Sequence, residues 1–152
     1  MAVTREVSNK FKLEQGKGSV DFGTDEFRVI LMQDLDTFTF DKDLHGTYGD
    51  LSASELAEGY GYAQLDKILD VDEVWQQDNV NDKAYLTWLN PTWTASGGSI
   101  GPTSAAVVVQ YNSVTPADSL VVGCISFGED ITVTDGISFQ VQLMGFENTE
   151  AA

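Results

Sequence analysis

Ile137-Ser138-Phe139-Gln140-Val141-Gln142-Leu143 alternates apolar and polar residues without a break. Successive side chains of a β-strand point to opposite faces, so a strict period of two predicts a strand with one face buried. The same pattern recurs in Ile131-Thr132-Val133-Thr134 and in Asp36-Thr37-Phe38-Thr39-Phe40. Phe27, Val29 and Leu31 share one face of a strand over 26–32. The runs 105–111 and 120–127 are rich in Val and Ile and predict strands buried on both faces. Strands over 71–75 and 83–89 complete the pattern.

Turn residues punctuate these runs at short intervals. Asp21-Phe22-Gly23-Thr24-Asp25 is read as closing a first short strand, and Asn90-Pro91 as ending the strand that holds Trp88. The segment 97–102 reads as a flexible loop. Thr115-Pro116-Ala117-Asp118 and Phe127-Gly128-Glu129-Asp130 read as turns, and Thr134-Asp135-Gly136 as a hairpin turn. Only 52–57 invites a helix, with Ser52 as N-cap, and Gly59 and Gly61 limit its length. The fold class is therefore all-β: a β-sandwich, jelly-roll-like, with one short helix. The predicted organisation is an N-terminal arm or first strand over 1–18, a sandwich domain over 19–146 and a flexible C-terminal tail over 147–152.

The chain has 152 residues, with 24 acidic side chains against 8 Lys and Arg. Its formal charge of -16 repels phosphates, which argues against nucleic acid as a partner. The few cations are unevenly spread. Arg5, Lys10, Lys12, Lys17 and Arg28 lie near the N-terminus, and no Lys or Arg follows Lys83. The outward positions of the cleanest strands, Thr37, Thr39, Thr132, Thr134, Ser138, Gln140 and Gln142, are neutral. Such faces suit ordinary strands, and they also pack against another subunit without desolvating charge.

No residue set predicts catalysis. Cys124 is the only cysteine and sits in an apolar run, where it reads as a small buried hydrophobe. His45 is the only histidine and reads as an exposed loop residue with no triad partner. Asp34-Leu35-Asp36, Asp41-Lys42-Asp43 and Asp78-Asn79-Val80-Asn81-Asp82 offer oxygen ligands at short spacing, yet none matches an EF-hand loop. The expectation is no metal and no cofactor. Tyr60, Tyr62, Trp75, Tyr85, Trp88 and Trp93 are candidates for a sugar-stacking platform, with Trp88 and Trp93 the best pair. No apolar run is long enough for a signal peptide or a membrane span, so no membrane partner is expected.

A succession of segments carries a family resemblance. They are Phe11-Lys12-Leu13; Val20-Asp21-Phe22-Gly23-Thr24-Asp25-Glu26-Phe27-Arg28-Val29-Ile30-Leu31-Met32; Gly61-Tyr62; and Asn81-Asp82-Lys83-Ala84-Tyr85. Leu120-Val121-Val122-Gly123-Cys124-Ile125-Ser126-Phe127-Gly128 and Val133-Thr134-Asp135-Gly136 follow. Together they resemble the head decoration, or capsid cement, proteins of tailed bacteriophages. The acidic stretch 34–56 and the lysine-free second half depart from that pattern. The resemblance implies a non-enzymatic virion protein on the capsid exterior, assembled in the host cytoplasm. It implies the major capsid protein and its own copies, as a homotrimer, as partners. Arg5, Lys10, Phe11 and Lys12 are the capsid-contact candidates on the expected N-terminal arm. A carbohydrate-binding sandwich using Trp88 and Trp93 is the alternative reading.

Overall fold

The computed structural model describes residues 3–142 and 145–149, and for 71–75 and 147–149 the backbone only. Ten strands dominate. They are β1 Thr4–Val7, β2 Phe27–Leu31, β3 Lys67–Ile68, β4 Val71–Asp78 and β5 Lys83–Trp88. β6 Thr92–Thr94, β7 Ile100–Gln110, β8 Leu120–Val133, β9 Ser138–Gln140 and β10 Gly145–Thr149 follow. The helices are short: α1 Asn9–Gly16 and α2 Tyr48–Leu51, with 3-10 turns at Ser52–Ser54 and Pro116–Asp118. The strand-rich class is the one the alternation predicts.

The strands form a five-stranded sheet, β1-β8-β7-β2-β3, a three-stranded sheet, β10-β5-β4, and a two-stranded ribbon, β6-β9. Consecutive strands pair in β2-β3, β4-β5 and β7-β8, while β1-β8, β2-β7, β5-β10 and β6-β9 pair strands distant in sequence, so long connections tie the sheets together.

The five-stranded sheet divides the interior. Phe27, Val29, Leu31, Ala106, Val108 and Val122 pack on one side against Leu86, Trp88, Trp93, Phe139 and Phe146 from the smaller sheets. Ile30, Met32, Val107, Val109, Val121 and Cys124 pack on the other side against Phe38, Phe40 and Leu51. β7 over 103–109 and β8 over 120–125 are buried on both faces, as their Val and Ile content predicts.

Several local expectations are corrected. Thr37 and Thr39 are exposed while Phe38 and Phe40 are buried, so the alternation is right, but the segment has no strand partner. Phe127-Gly128-Glu129-Asp130 is not a turn; β8 runs straight through it, with Gly128 at φ 78° absorbing the irregular register against β7. The Asp135-Gly136 turn exists, but β9 then leaves β8 and pairs with β6. The 97–102 loop ends early, because β7 begins at Ile100. Asp21-Phe22-Gly23-Thr24-Asp25 follows a helix instead of a strand. Residues 147–149 are not tail: they pair in β10 with β5. Residues 150–152 and Leu143 lie outside the described residues.

The helices differ from the expected single one over 52–57 in two ways. The short helix starts at Tyr48, where Thr47 and Asp50 form a capping box, and only a 3-10 turn covers Ser52–Ser54. α1 was not anticipated. Its N-cap is Ser8, whose Oγ accepts from the Phe11 N–H at 3.0 Å. The helix buries one side chain, Phe11, and leaves Leu13 exposed, so its sequence carries almost no helical stripe.

Candidate functional site

The N-terminal segment is a docked unit, not a free arm. β1 pairs with β8 from Thr4↔Ser126 to Val7↔Gly123. The Ser8 N–H then donates to Val122 O, and the Asn9 N–H to Lys42 O. Phe11 is buried against Phe22, ring centres 5.9 Å apart, and is thereby removed from the contact candidates. Arg5, Lys10 and Lys12 remain exposed, and so do Lys17 and Lys42. Five of the eight cations of the chain therefore belong to β1, α1 and the loop bound to α1. Lys17 faces a half-buried Glu14 at 3.7 Å, and Lys42 faces Asp43 at 3.3 Å in solvent, where such a pair holds little energy. The Lys10 side chain lies over Gly46.

A groove of about 370 Å³ opens beside β1. Its floor is apolar, formed by Ile125, Phe127, Ile131, Phe139 and Val141. Val3, Arg5, Gln140 and Gln142 complete the lining, which includes no carboxylate. The β6-β9 ribbon continues from it. Trp93 and Phe139 point inward, which leaves Thr92, Thr94, Ser138 and Gln140 facing solvent. These side chains are tied to one another, Thr94 to Ser138 at 2.9 Å and Gln140 to Thr92 at 3.1 Å.

The paired tryptophans do not form a sugar platform. Trp88 is buried between Phe27 and Phe146, and Trp93 between Tyr62 and Phe139. Their relative exposures, 2% and 3%, leave no ring face for a ligand. The side chain of Trp75 lies outside the described residues. Tyr62 is buried too, Tyr85 is half-buried and Tyr60 is exposed.

The ionisable groups that sequence inspection singles out serve the fold. His45 is half-buried, not exposed: it stacks on Phe38 and Phe40, and its Nδ1 accepts from the Asp41 N–H at 3.0 Å. Asp41 and Asp78 accept backbone N–H groups of their own loops. Among the described residues, no three His, Cys, Asp or Glu side chains converge on a common point. Burial pushes the Cys124 thiol up to about 12, which keeps it protonated and unreactive near neutral pH. Among the described residues no helix is long and apolar enough to cross a membrane.

One buried carboxylate escaped the sequence reading. Glu55 is 2% exposed and accepts from the hydroxyls of Tyr48 and Tyr62 and from the Leu65 N–H. The Tyr62 hydroxyl also accepts from the Leu31 N–H at 2.9 Å, which ties the cluster to β2. Burial raises the Glu55 carboxyl above its ordinary value, and the three donors offset part of that rise. Burial, with the carboxylate beside them, likewise raises both phenols. These hydrogen bonds tie Tyr48, Glu55, Tyr62 and Leu65 to one another and to β2. Nothing in Ser54-Glu55-Leu56 distinguishes this glutamate from the many exposed ones; only the two tyrosines at equal spacing, 48 and 62, hint at it.

The chain matches no protein-family model, no curated protein and no solved structure.

Proposed function

We propose that this chain is a structural virion protein that binds the outside of a tailed-phage capsid and reinforces the shell, without an enzymatic role. The resemblance supplies the biological setting. The observation that carries the contact is the gathering of Arg5, Lys10 and Lys12, with Lys17 and Lys42, on one docked unit of a chain whose formal charge is -16. Long-range repulsion keeps the acidic body off an acidic surface, and a local cluster of cations orients the approach. A protein that touches several capsid subunits binds the assembled lattice alone, and by linkage it stabilises that state. In this reading the partners are the major capsid protein and further copies of the chain as a homotrimer, on the capsid exterior.

The test uses substitutions, because removing 1–8 would strip β1 from the sheet. Lys10→Glu with Lys12→Glu reverses two exposed charges on α1. The double variant should keep its circular dichroism spectrum and sediment less with empty shells of the phage that encodes the chain. The loss should be greatest at low salt, since screening reaches about 10 Å at 0.1 M. Wild-type protein that stays in the supernatant at every salt concentration refutes the capsid reading.

A further inference from the structure

Tyr60 stands outside the core on a strained backbone. Gly59 and Tyr62 exchange backbone hydrogen bonds at 2.9 and 3.1 Å. Between them, Tyr60 at φ 58° and Gly61 at φ 102° both have positive φ. A turn of this kind favours Asn, Asp or Gly at its first position, so an aromatic residue there is costly. Tyr60 is 57% exposed, so burial in the core does not offset that cost. Strain that no burial compensates is a reason to look for a ligand.

The ring is fixed from one side. A Cβ added at Gly98 would lie 2.5, 2.6 and 2.8 Å from Cδ1, Cε1 and Cγ of Tyr60. Similar distances to three successive ring atoms place Gly98 under the flat face of the ring, since an edge contact would leave one of the three much farther away. The Tyr60 carbonyl accepts from the Ser96 N–H at 3.0 Å, which ties the turn to the same loop. Gly61 lies so close to β6 that a Cβ would meet Thr94 O at 2.1 Å. With one face on Gly98, the ring turns its other face to solvent. The exposed side chains of the adjoining backbone are hydroxyls: Thr94, Ser96, Ser99 and, across the ribbon, Ser138, which meets Thr94 at 2.9 Å. Asp135 is the charged residue of 94–99 and 135–138, and its Oδ1 accepts from the Gly97 N–H at 2.9 Å.

We propose that Tyr60 is the stacking platform of a binding site for a neutral carbohydrate chain. The chemistry around the ring selects that ligand. An open aromatic face takes the C–H face of a sugar ring, and a ring already held in place loses little entropy on binding. Ser and Thr hydroxyls both donate and accept, as sugar hydroxyls do, and the Asp135 carboxylate accepts from an O–H without needing a counter-charge. A nucleobase would stack equally well, but its phosphates would meet a chain of charge -16 with no Lys or Arg after Lys83. Uronate and sulfated glycans are repelled for the same reason. A lipid or an apolar protein surface needs a contiguous apolar patch, whereas over 94–99 and 135–138 only Ile137 accompanies the ring as a large exposed apolar side chain. The site is separate from the buried Trp88 and Trp93, and it stands apart from the capsid reading.

The experiment is isothermal titration calorimetry of the full chain with hydroxyethylcellulose, glucomannan, galactomannan and dextran, and with alginate as the anionic control, in low and in high salt. Wild type should bind at least one of the four neutral polysaccharides, with the same affinity at both salt concentrations because no charge pair is made. Tyr60→Asn should weaken that binding by about tenfold or more, as the loss of an aromatic anchor does. The same variant should melt at or above the wild-type temperature, since Asn tolerates the left-handed backbone. Tyr60→Phe keeps the ring and should bind as wild type does. Wild type that gives no saturable heat with any of the four overturns the proposal, as does a preference for alginate or a Tyr60→Asn variant that binds as tightly as wild type. Loss of binding in Tyr60→Phe places the contact on the hydroxyl and overturns the stacking. Shell sedimentation separates this site from the capsid contact: Tyr60→Asn should sediment with shells as wild type does. Lost sedimentation without any polysaccharide binding assigns the ring to a protein partner and overturns the proposal.

Discussion

The two faces of the five-stranded sheet are sealed in different ways. One is covered by strands, whose backbone groups satisfy one another, and its core is aromatic: Phe22, Phe27, Trp88 and Phe146 form a chain of ring contacts. The other is covered by the irregular segment 34–65, whose helical pieces are too short to satisfy their own backbone. There, side chains take over that task. Asp34, Asp41 and Asp50 accept from nearby N–H groups, His45 accepts from Asp41, and Glu55 collects three donors. A face covered by loops is therefore held by polar side chains as much as by apolar area, because unpaired buried backbone is costly.

This contrast predicts where and how strongly each face fails. Phe27→Ala removes a ring that stacks on Phe22 at 5.2 Å and touches Trp88 at 5.6 Å. It should cost about 3–5 kcal/mol, read by urea unfolding, with little dependence on pH. Glu55→Ala leaves a buried donor on Tyr62, and half-buried ones on Tyr48 and Leu65, without their acceptor. It should cost about 2–4 kcal/mol, and a loss below about 0.5 kcal/mol would show that the loop-covered face does not depend on the carboxylate.

The pH dependence sharpens the same comparison. Glu55 has a raised folded pKa, so its contribution is full below the unfolded value of 4.5 and is lost as pH rises through the folded value. Wild type should therefore gain on Glu55→Gln as pH is lowered from 7 toward 5, in thermal melts of the pair. Asp50 has the opposite sign. The Thr47 N–H holds its carboxyl below 3.8, so its contribution is present above that value and lost as pH falls further. Asp50→Ala should cost about 1 kcal/mol at neutral pH, the usual value of a helix cap, and progressively less as pH falls below 3.8.

The faces also differ in how legible they are in the sequence. The strand-covered side follows from period two: Phe27, Val29, Leu31 and Phe139 are buried where alternation places them. Ile137 breaks the rule, because the chain is still leaving the Asp135-Gly136 turn there. The loop-covered side reads falsely as strand at Phe38 and Phe40, since alternation reports burial but not a pairing partner. α1 was invisible because one buried ring makes no stripe. Of the contact candidates, exposed charge was predictable from residue type for Arg5, Lys10 and Lys12. The fate of Phe11, Trp88 and Trp93 was not, because large aromatics serve cores and binding platforms alike until the packing is known.

The pairing of β1 with β8 sets an order of events during synthesis. Thr4 to Val7 leave the ribosome long before Ser126 to Gly123, the residues with which they pair. The β7-β8 pair, joined through 111–119, closes its own ladder as soon as both strands are made. β1 must therefore wait, unpaired, until β8 is made. A nascent chain arrested before β8 should present its N-terminal segment to proteases, whereas the completed chain shields it.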